Sequence, residues 1–143
     1  MSSARTIILT DDDEDDRDFF KSAIQTTDPD VKLLTFNDGV YLTEYLDRNP
    51  DTIPQLIFLD INMPRMNGFE CLAVLRNKYN SNELPVVMYT TSENDNDLQE
   101  ATRLGANLYV RKPSDFNRLK SVIHDVLKID WGTHKTDYTN FML

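Results

Sequence analysis

Seven of the eight residues from Asp11 to Asp18 are acidic, in the run DDDEDDRD. So dense a set of like charges strains local structure unless something cationic neutralises part of it. Further along stand Asp60 in the segment FLDINMPRMNG, a hydroxyl pair at Thr90 and Thr91, and the dipeptide Lys112–Pro113. If the chain brings these together, several carboxylates, a hydroxyl and an ammonium share one crevice. Mg²⁺ suits such a place, because it takes a few carboxylates, waters and phosphate oxygens in octahedral array. An aspartate beside it can act as nucleophile toward a phosphoryl group. Metal, hydroxyl and ammonium would then neutralise the charge spreading over the transferring oxygens.

The elements that must position these residues are legible as five repeats of a short apolar run and a helix-period segment. Thr6–Thr10 precedes a helix carrying Phe19, Phe20, Ala23 and Ile24; Val31–Phe36 precedes one with Val40, Leu42, Tyr45 and Leu46. Gln55–Leu59 leads into Phe69, Leu72, Ala73, Leu75 and Tyr79, and Pro85–Tyr89 into Leu98, Ala101 and Leu104. Asn107–Arg111 leads into the clearest helix, with Phe116, Leu119, Val122, Ile123, Val126 and Leu127 at three- and four-residue spacing. Pro54 and Pro85 mark where strands begin, and Gly105 stands where a helix C-cap is expected. The near-continuous apolar character of the first, third and fourth strands predicts burial on both faces. Strict βα alternation with right-handed crossovers predicts an α/β, doubly wound (βα)5 sandwich of three layers, its parallel sheet ordered 2-1-3-4-5. Active sites of such sheets lie at the carboxyl ends of the strands, near the point where strand order reverses. Asp11, Asp12 and Asp13, then Asp60, Thr90 and Lys112 all fall at those ends.

Composition narrows the function classes. The 143 residues match one ordinary domain, and 40% hydrophobic with 27% charged residues reads as soluble and folded. No apolar run approaches the roughly 18 residues of a membrane span, and MSSARTIILT is too short in its apolar part for a signal peptide. The single Cys71 excludes an internal disulfide, fits a reducing cytoplasm, and reads as a small buried hydrophobe. A formal net charge of −9 without a basic cluster argues against nucleic-acid binding.

Other readings of the acidic run compete. A calcium loop opening at Asp11 would need Gly at its sixth position and Glu at its twelfth, where Asp16 and Ser22 stand, so that reading fails. A phosphatase of the haloacid-dehalogenase type also opens on a strand-end D-x-D, which Asp11 and Asp13 would satisfy; Asp15 stands where a small hydroxylic or apolar residue is wanted.

The acidic pair after the first strand, FLDINMPRMNG, the Thr ending strand four and the Lys-Pro after strand five stand in one order. In that combination the chain resembles the receiver domain of bacterial two-component response regulators, over residues 5 to 128. The 22-residue spacing from Thr90 to Lys112 resembles the chemotaxis-type receiver, and the long acidic opening resembles single-domain regulators paired with phytochrome-type histidine kinases. The resemblance implies a flavodoxin-like fold, a receiver domain over 1–128 and a C-terminal tail over 129–143. It implies Asp60 as phosphoacceptor, with Mg²⁺ held by Asp11, Asp12, Asp60 and the backbone carbonyl of Asn62. Thr90 would bond a phosphoryl oxygen, Lys112 would pair with the same group, Tyr109 would be the aromatic switch, and Lys112–Pro113 would be a cis peptide.

As partners it implies a histidine kinase or histidine phosphotransfer protein and a downstream protein target, with no nucleic acid and no membrane. It further implies a cytoplasmic monomer or weak homodimer, and no enzyme beyond weak self-phosphorylation and autodephosphorylation. A degenerate receiver serving only for docking is the competing class; the intact Asp11, Asp12, Asp60, Thr90 and Lys112 argue against it. The chain departs from the family's common pattern at Thr10, at the short Ser92 and in the tail DWGTHKTDYTNFML, whose Trp131, Tyr138 and Phe141 are expected to fold back on the domain, with contact to another protomer as the alternative.

Overall fold

The computed structural model describes residues 5–131. Five strands, β1 (Thr6–Thr10), β2 (Lys32–Phe36), β3 (Leu56–Leu59), β4 (Val86–Thr90) and β5 (Leu108–Arg111), alternate with five helices. These are α1 (Glu14–Thr27), α2 (Gly39–Arg48), α3 (Gly68–Lys78), α4 (Asp95–Leu104) and α5 (Phe116–Leu127). All pairings are parallel and the order is β2-β1-β3-β4-β5, as the βα alternation predicts.

Alternation along the strands divides the core between two faces, since successive side chains point to opposite sides of a sheet. Ile8, Ile57, Leu59, Val86, Met88 and Tyr109 face α2, α3 and α4, where Leu42, Cys71, Leu72 and Ala101 meet them. Ile7, Leu9, Phe58, Val87, Tyr89 and Val110 face α1 and α5, packing on Phe20, Ile24, Leu119, Ile123 and Val126. Phe20, Phe58 and Tyr89 form a mutual edge-to-face cluster at the centre of that layer. Trp131 is buried in the same layer; Tyr138, Phe141 and His134 lie outside the described residues. Burial of the Cys71 thiol pushes its pKa up to about 12, which fits a packing role.

Every helix opens on an Asp or Asn cap: Asp13, Asp38, Asn67, Asn94 and Asp115. Asp13, outside the expected metal pair, accepts the amides of Asp15 and Asp16 at 2.9 and 3.2 Å. Glu14, Asp15 and Asp16 then occupy the first turn of α1, where the helix dipole favours negative charge. Gly105 ends α4 in the left-handed region at φ 92°. Among the described residues no peptide bond is cis, so Lys112–Pro113 is trans, against expectation. The X-Pro trans form is favoured by only about 0.5–1 kcal/mol, so sequence alone is a weak guide to the isomer. No described helix is long and apolar enough to cross a membrane.

Candidate phosphoacceptor and metal site

The sheet ladder runs one residue past its strands at three places, and those residues meet. The Asp11 amide donates to Phe36 O at 3.0 Å, the Asp60 amide to Thr10 O at 3.0 Å and the Lys112 amide to Thr90 O at 2.8 Å. Asp11, Asp60 and Lys112 are thereby fixed at the carboxyl edge, where order reverses between β1 and β3.

Each carboxylate is locally braced. Asp60 Oδ1 accepts the amide of Ile61 at 2.8 Å, and Asp11 Oδ1 accepts that of Asp13 at 3.0 Å. The Arg17 guanidinium donates to the Asp11 carbonyl at 2.8 Å, tying α1 to the strand end. Gly68 is required by close approach: a Cβ there would lie 2.8 Å from Ile61 Cα and closer still to the Asp60 carbonyl oxygen. Arg65, in the left-handed region at φ 65°, holds the same loop through a two-pronged bond to buried Asp38, Nε to Oδ2 at 2.9 Å and Nη2 to Oδ1 at 3.1 Å.

Lys112 is the cation of the crevice. Its Nζ lies 2.7 Å from Asp11 Oδ2, 2.8 Å from Asp16 Oδ2 and 3.2 Å from Asp60 Oδ2, with the side chain only 9% exposed. The Asp11 contact is at ion-pair distance but outside hydrogen-bond geometry, so Asp11 Oδ2 is buried with no hydrogen-bond donor. Burial pushes the Asp11 carboxyl up to about 6, with Asp60 adding to the rise and Lys112 and the Asp13 amide opposing it. The Asp60 carboxyl is also raised, by burial first, with Lys112 and the Ile61 amide opposing. Burial works against the Lys112 ammonium, but Asp11, Asp16 and Asp60 outweigh it and hold its pKa above the ordinary value.

Three carboxylates on one ammonium, with Asp12 beside two of them, leave an excess of negative charge in the crevice. Asp11, Asp12 and Asp60 each offer an oxygen within 4.8 Å of the others, the hard-oxygen donor set that a small divalent cation takes. Asp11 Oδ2, buried and held only by its ion pair to Lys112, is the oxygen such a cation would satisfy, so these residues fit a metal. Thr10 Oγ1, buried beside them, also lacks a hydrogen-bond partner among the described residues.

Of the residues expected from sequence, Asp11, Asp12, Asp60 and Lys112 converge. Thr90 ends β4 fully buried at the same edge, its Oγ1 accepting the Ser92 amide at 3.2 Å. Asn62 follows two residues after Asp60, its side chain exposed. Tyr109, expected as the aromatic switch, lies inward: it is 1% exposed within the α2–α4 layer, its hydroxyl donating to Ser92 O at 3.1 Å. Ser92, one of the departures from the family's common pattern, sits at a junction, its hydroxyl donating to Asp97 Oδ2 at 2.7 Å. Sequence reading missed Asp16 as a partner of Lys112; the available signal was its position one helical turn beyond Asp12. It also missed the Arg65–Asp38 pair, for which a 27-residue separation leaves no local signal.

The chain belongs to the response regulator receiver domain family, whose pattern matches residues 7–124. It is therefore a signalling module of two-component systems rather than a metabolic enzyme. It is 27% identical over 126 residues to response regulator Rcp1 of Synechocystis, covering 85% of this chain and 86% of that one. It is 34% identical over 95 residues to chemotaxis protein CheY1 of Helicobacter pylori, covering 66% and 75%. Among solved structures it resembles the phosphorylated cyanobacterial phytochrome response regulator RcpA, with a TM-score of 0.79 at 25% identity over 94% of this chain and 98% of that one. The Mn²⁺-bound form of Rcp1 gives a TM-score of 0.75 at 25% identity over 93% and 99%.

Proposed function

We propose that the chain is a phosphoacceptor switch, taking a phosphoryl group onto Asp60 from a histidine kinase or histidine phosphotransfer protein. The observation that carries this reading is the convergence of Asp11, Asp12 and Asp60, two of them paired with the Lys112 ammonium. An Asp60 carboxylate oxygen attacks phosphorus, the P–N bond to the donor imidazole breaks with its electron pair going to nitrogen, and an acyl phosphate results. The Ile61 amide fixes one Asp60 oxygen, so the carboxylate presents a constant face to the donor. Asp11, Asp12, Asp60 and the Asn62 carbonyl are the groups to hold Mg²⁺, a role in keeping with the Mn²⁺-bound form known for Rcp1. When bound, Mg²⁺ supplies positive charge to the phosphoryl oxygens. Lys112 pairs with those oxygens, and Thr90, already accepting from Ser92, keeps its own proton to donate to one of them.

Drawing the Thr90 hydroxyl toward the new oxygens disturbs its bond from Ser92, to which Tyr109 and Asp97 are also joined. The phosphoryl group thus acts on the β4–α4 loop and on the surface of α4, β5 and α5, with the Tyr109 ring starting from inside. The domain over 1–128 acts in the cytoplasm as a monomer or weak homodimer, its own catalysis limited to weak self-phosphorylation and autodephosphorylation, and signals through a protein target. A phytochrome-type kinase is the first donor to try, given the likeness to RcpA and Rcp1.

The test is transfer of label from autophosphorylated histidine kinases, and from acetyl phosphate, with Mg²⁺ and with chelator. Mg²⁺-dependent labelling from a kinase is expected. Failure with every donor overturns the proposal.

A further inference from the structure

Lys112 is shared among more carboxylates than its part in phosphoryl transfer requires. An ammonium has three N–H donors, and its three neighbours are Asp11, Asp16 and Asp60. Asp11 and Asp60 belong to the group of three that can hold a metal, and Asp60 is also the proposed acceptor; Asp16 is outside that group. The ammonium lies 2.7 Å from Asp11, 2.8 Å from Asp16 and 3.2 Å from Asp60, so Asp60 is the carboxylate it holds least closely.

We infer that Asp16 is a positioning residue for Lys112, drawing the ammonium toward α1 so that Asp60 stays available to a divalent cation. The inference rests on the phosphoacceptor reading and adds to it a residue that touches neither metal nor phosphoryl group. The chain builds Asp16 into place. Its amide donates to the Asp13 cap at 3.2 Å, and the next residue, Arg17, anchors the same turn to the Asp11 carbonyl at 2.8 Å. The neighbouring Asp15 and Asp18 are exposed, whereas Asp16 turns to the crevice and remains 38% exposed. A partly solvated carboxylate is suited to the task, for it can hold an ammonium at the mouth of the crevice without itself being desolvated. Lysine carries a point charge on a flexible stem. With Asp16 neutral, Lys112 closes on Asp60 as it already does on Asp11, and competes with the cation for the Asp60 oxygen. Once Asp60 carries the phosphoryl group, the N–H it engaged turns to a phosphoryl oxygen while Asp16 keeps its hold.

The experiment is calorimetric measurement of Mg²⁺ binding to the full chain, in wild type, Asp16→Asn, Asp16→Glu and Asp15→Asn. Asp16→Asn is expected to raise the Mg²⁺ dissociation constant roughly tenfold, at the lower end of what loss of an outer-shell partner costs. Asp15→Asn removes the same charge from an exposed site one residue away, where solvent and salt screen it, and should leave the constant almost unchanged. Asp16→Glu keeps the charge and should recover most of the affinity. Unchanged binding in Asp16→Asn, or an equal loss in Asp15→Asn, overturns the inference and leaves the phosphoacceptor reading intact. A wild-type chain that binds no Mg²⁺ overturns that reading, and the inference with it.

Discussion

Asp11 carries a pH signature that can be isolated with one substitution. Its side chain is fully buried, and its carboxyl is raised from 3.8 to about 6 in the folded chain. Each tenfold change in an acid dissociation constant is worth about 1.36 kcal/mol, so full ionisation of Asp11 opposes folding by about 3 kcal/mol. The sign follows from linkage: an acid whose folded pKa lies above its unfolded value binds its proton more tightly in the native state. The penalty is therefore absent below the unfolded pKa, grows as pH rises through the interval up to about 6, and is complete above it. Asp11→Asn removes the ionisation while keeping an oxygen to accept the Asp13 amide. Urea denaturation in chelator, at pH 4.5 and pH 7.5, should show the variant gaining on wild type by about 2 kcal/mol as pH rises between those values. The raised Asp60 carboxyl acts in the same direction, so relief of its repulsion adds to the gain. A gap that stays constant with pH, or that shrinks as pH rises, would show that burial does not raise the Asp11 carboxyl.

Gly68→Ala forces a methyl group against the Asp60 carbonyl and Ile61 Cα, and should cost about 1–3 kcal/mol in urea unfolding while slowing labelling of Asp60. At Arg65 both Gly and Ala remove the bond to Asp38, but only Ala keeps the left-handed strain, so Arg65→Ala should be less stable than Arg65→Gly by about 1 kcal/mol. Beryllofluoride, a mimic of the phosphoryl group, should change hydrogen exchange across residues 91 to 97 and at Tyr109, and Tyr109→Phe should weaken the response at the loop. Changes confined to the residues around Asp11 and Asp60 would remove the switch role while sparing the acceptor.

The fold was legible because its information is periodic and local. Apolar runs such as LIFL and VVMYT, burying every residue, and the capping Asp and Asn residues are visible without knowing what lies opposite. The core of the site was legible for a related reason: strand ends of a parallel sheet share one edge, so Asp11 and Asp60, after the adjacent β1 and β3, must be neighbours, while Lys112 after β5 reaches them past β4 on its long side chain. What sequence could not supply was competition among side chains for one partner. Three aspartates on one ammonium is a matter of rotamers, and Asp16 entered by a helical turn whose start depends on the Asp13 cap. The inner position of Tyr109 depends on an acceptor 17 residues away at Ser92, and the Lys112–Pro113 isomer on an energy difference too small to read from two residues. Arg76 was likewise invisible as a structural hub, yet its guanidinium bonds the carbonyls of Leu84 and Gly105, both at 2.8 Å, joining α3 to the loops before β4 and β5.

The central claim is that a phosphoryl group is carried by the Asp60 carboxylate, and mapping the labelled residue tests it most directly. The chain is labelled with acetyl phosphate and Mg²⁺, then treated with borohydride, which reduces an acyl phosphate to the alcohol and marks its aspartate in a peptide map. Reduction is expected at residue 60 in wild type, with no labelling of a folded Asp60→Asn variant. A mark at Asp11 or Asp12, or undiminished labelling of Asp60→Asn, would contradict it.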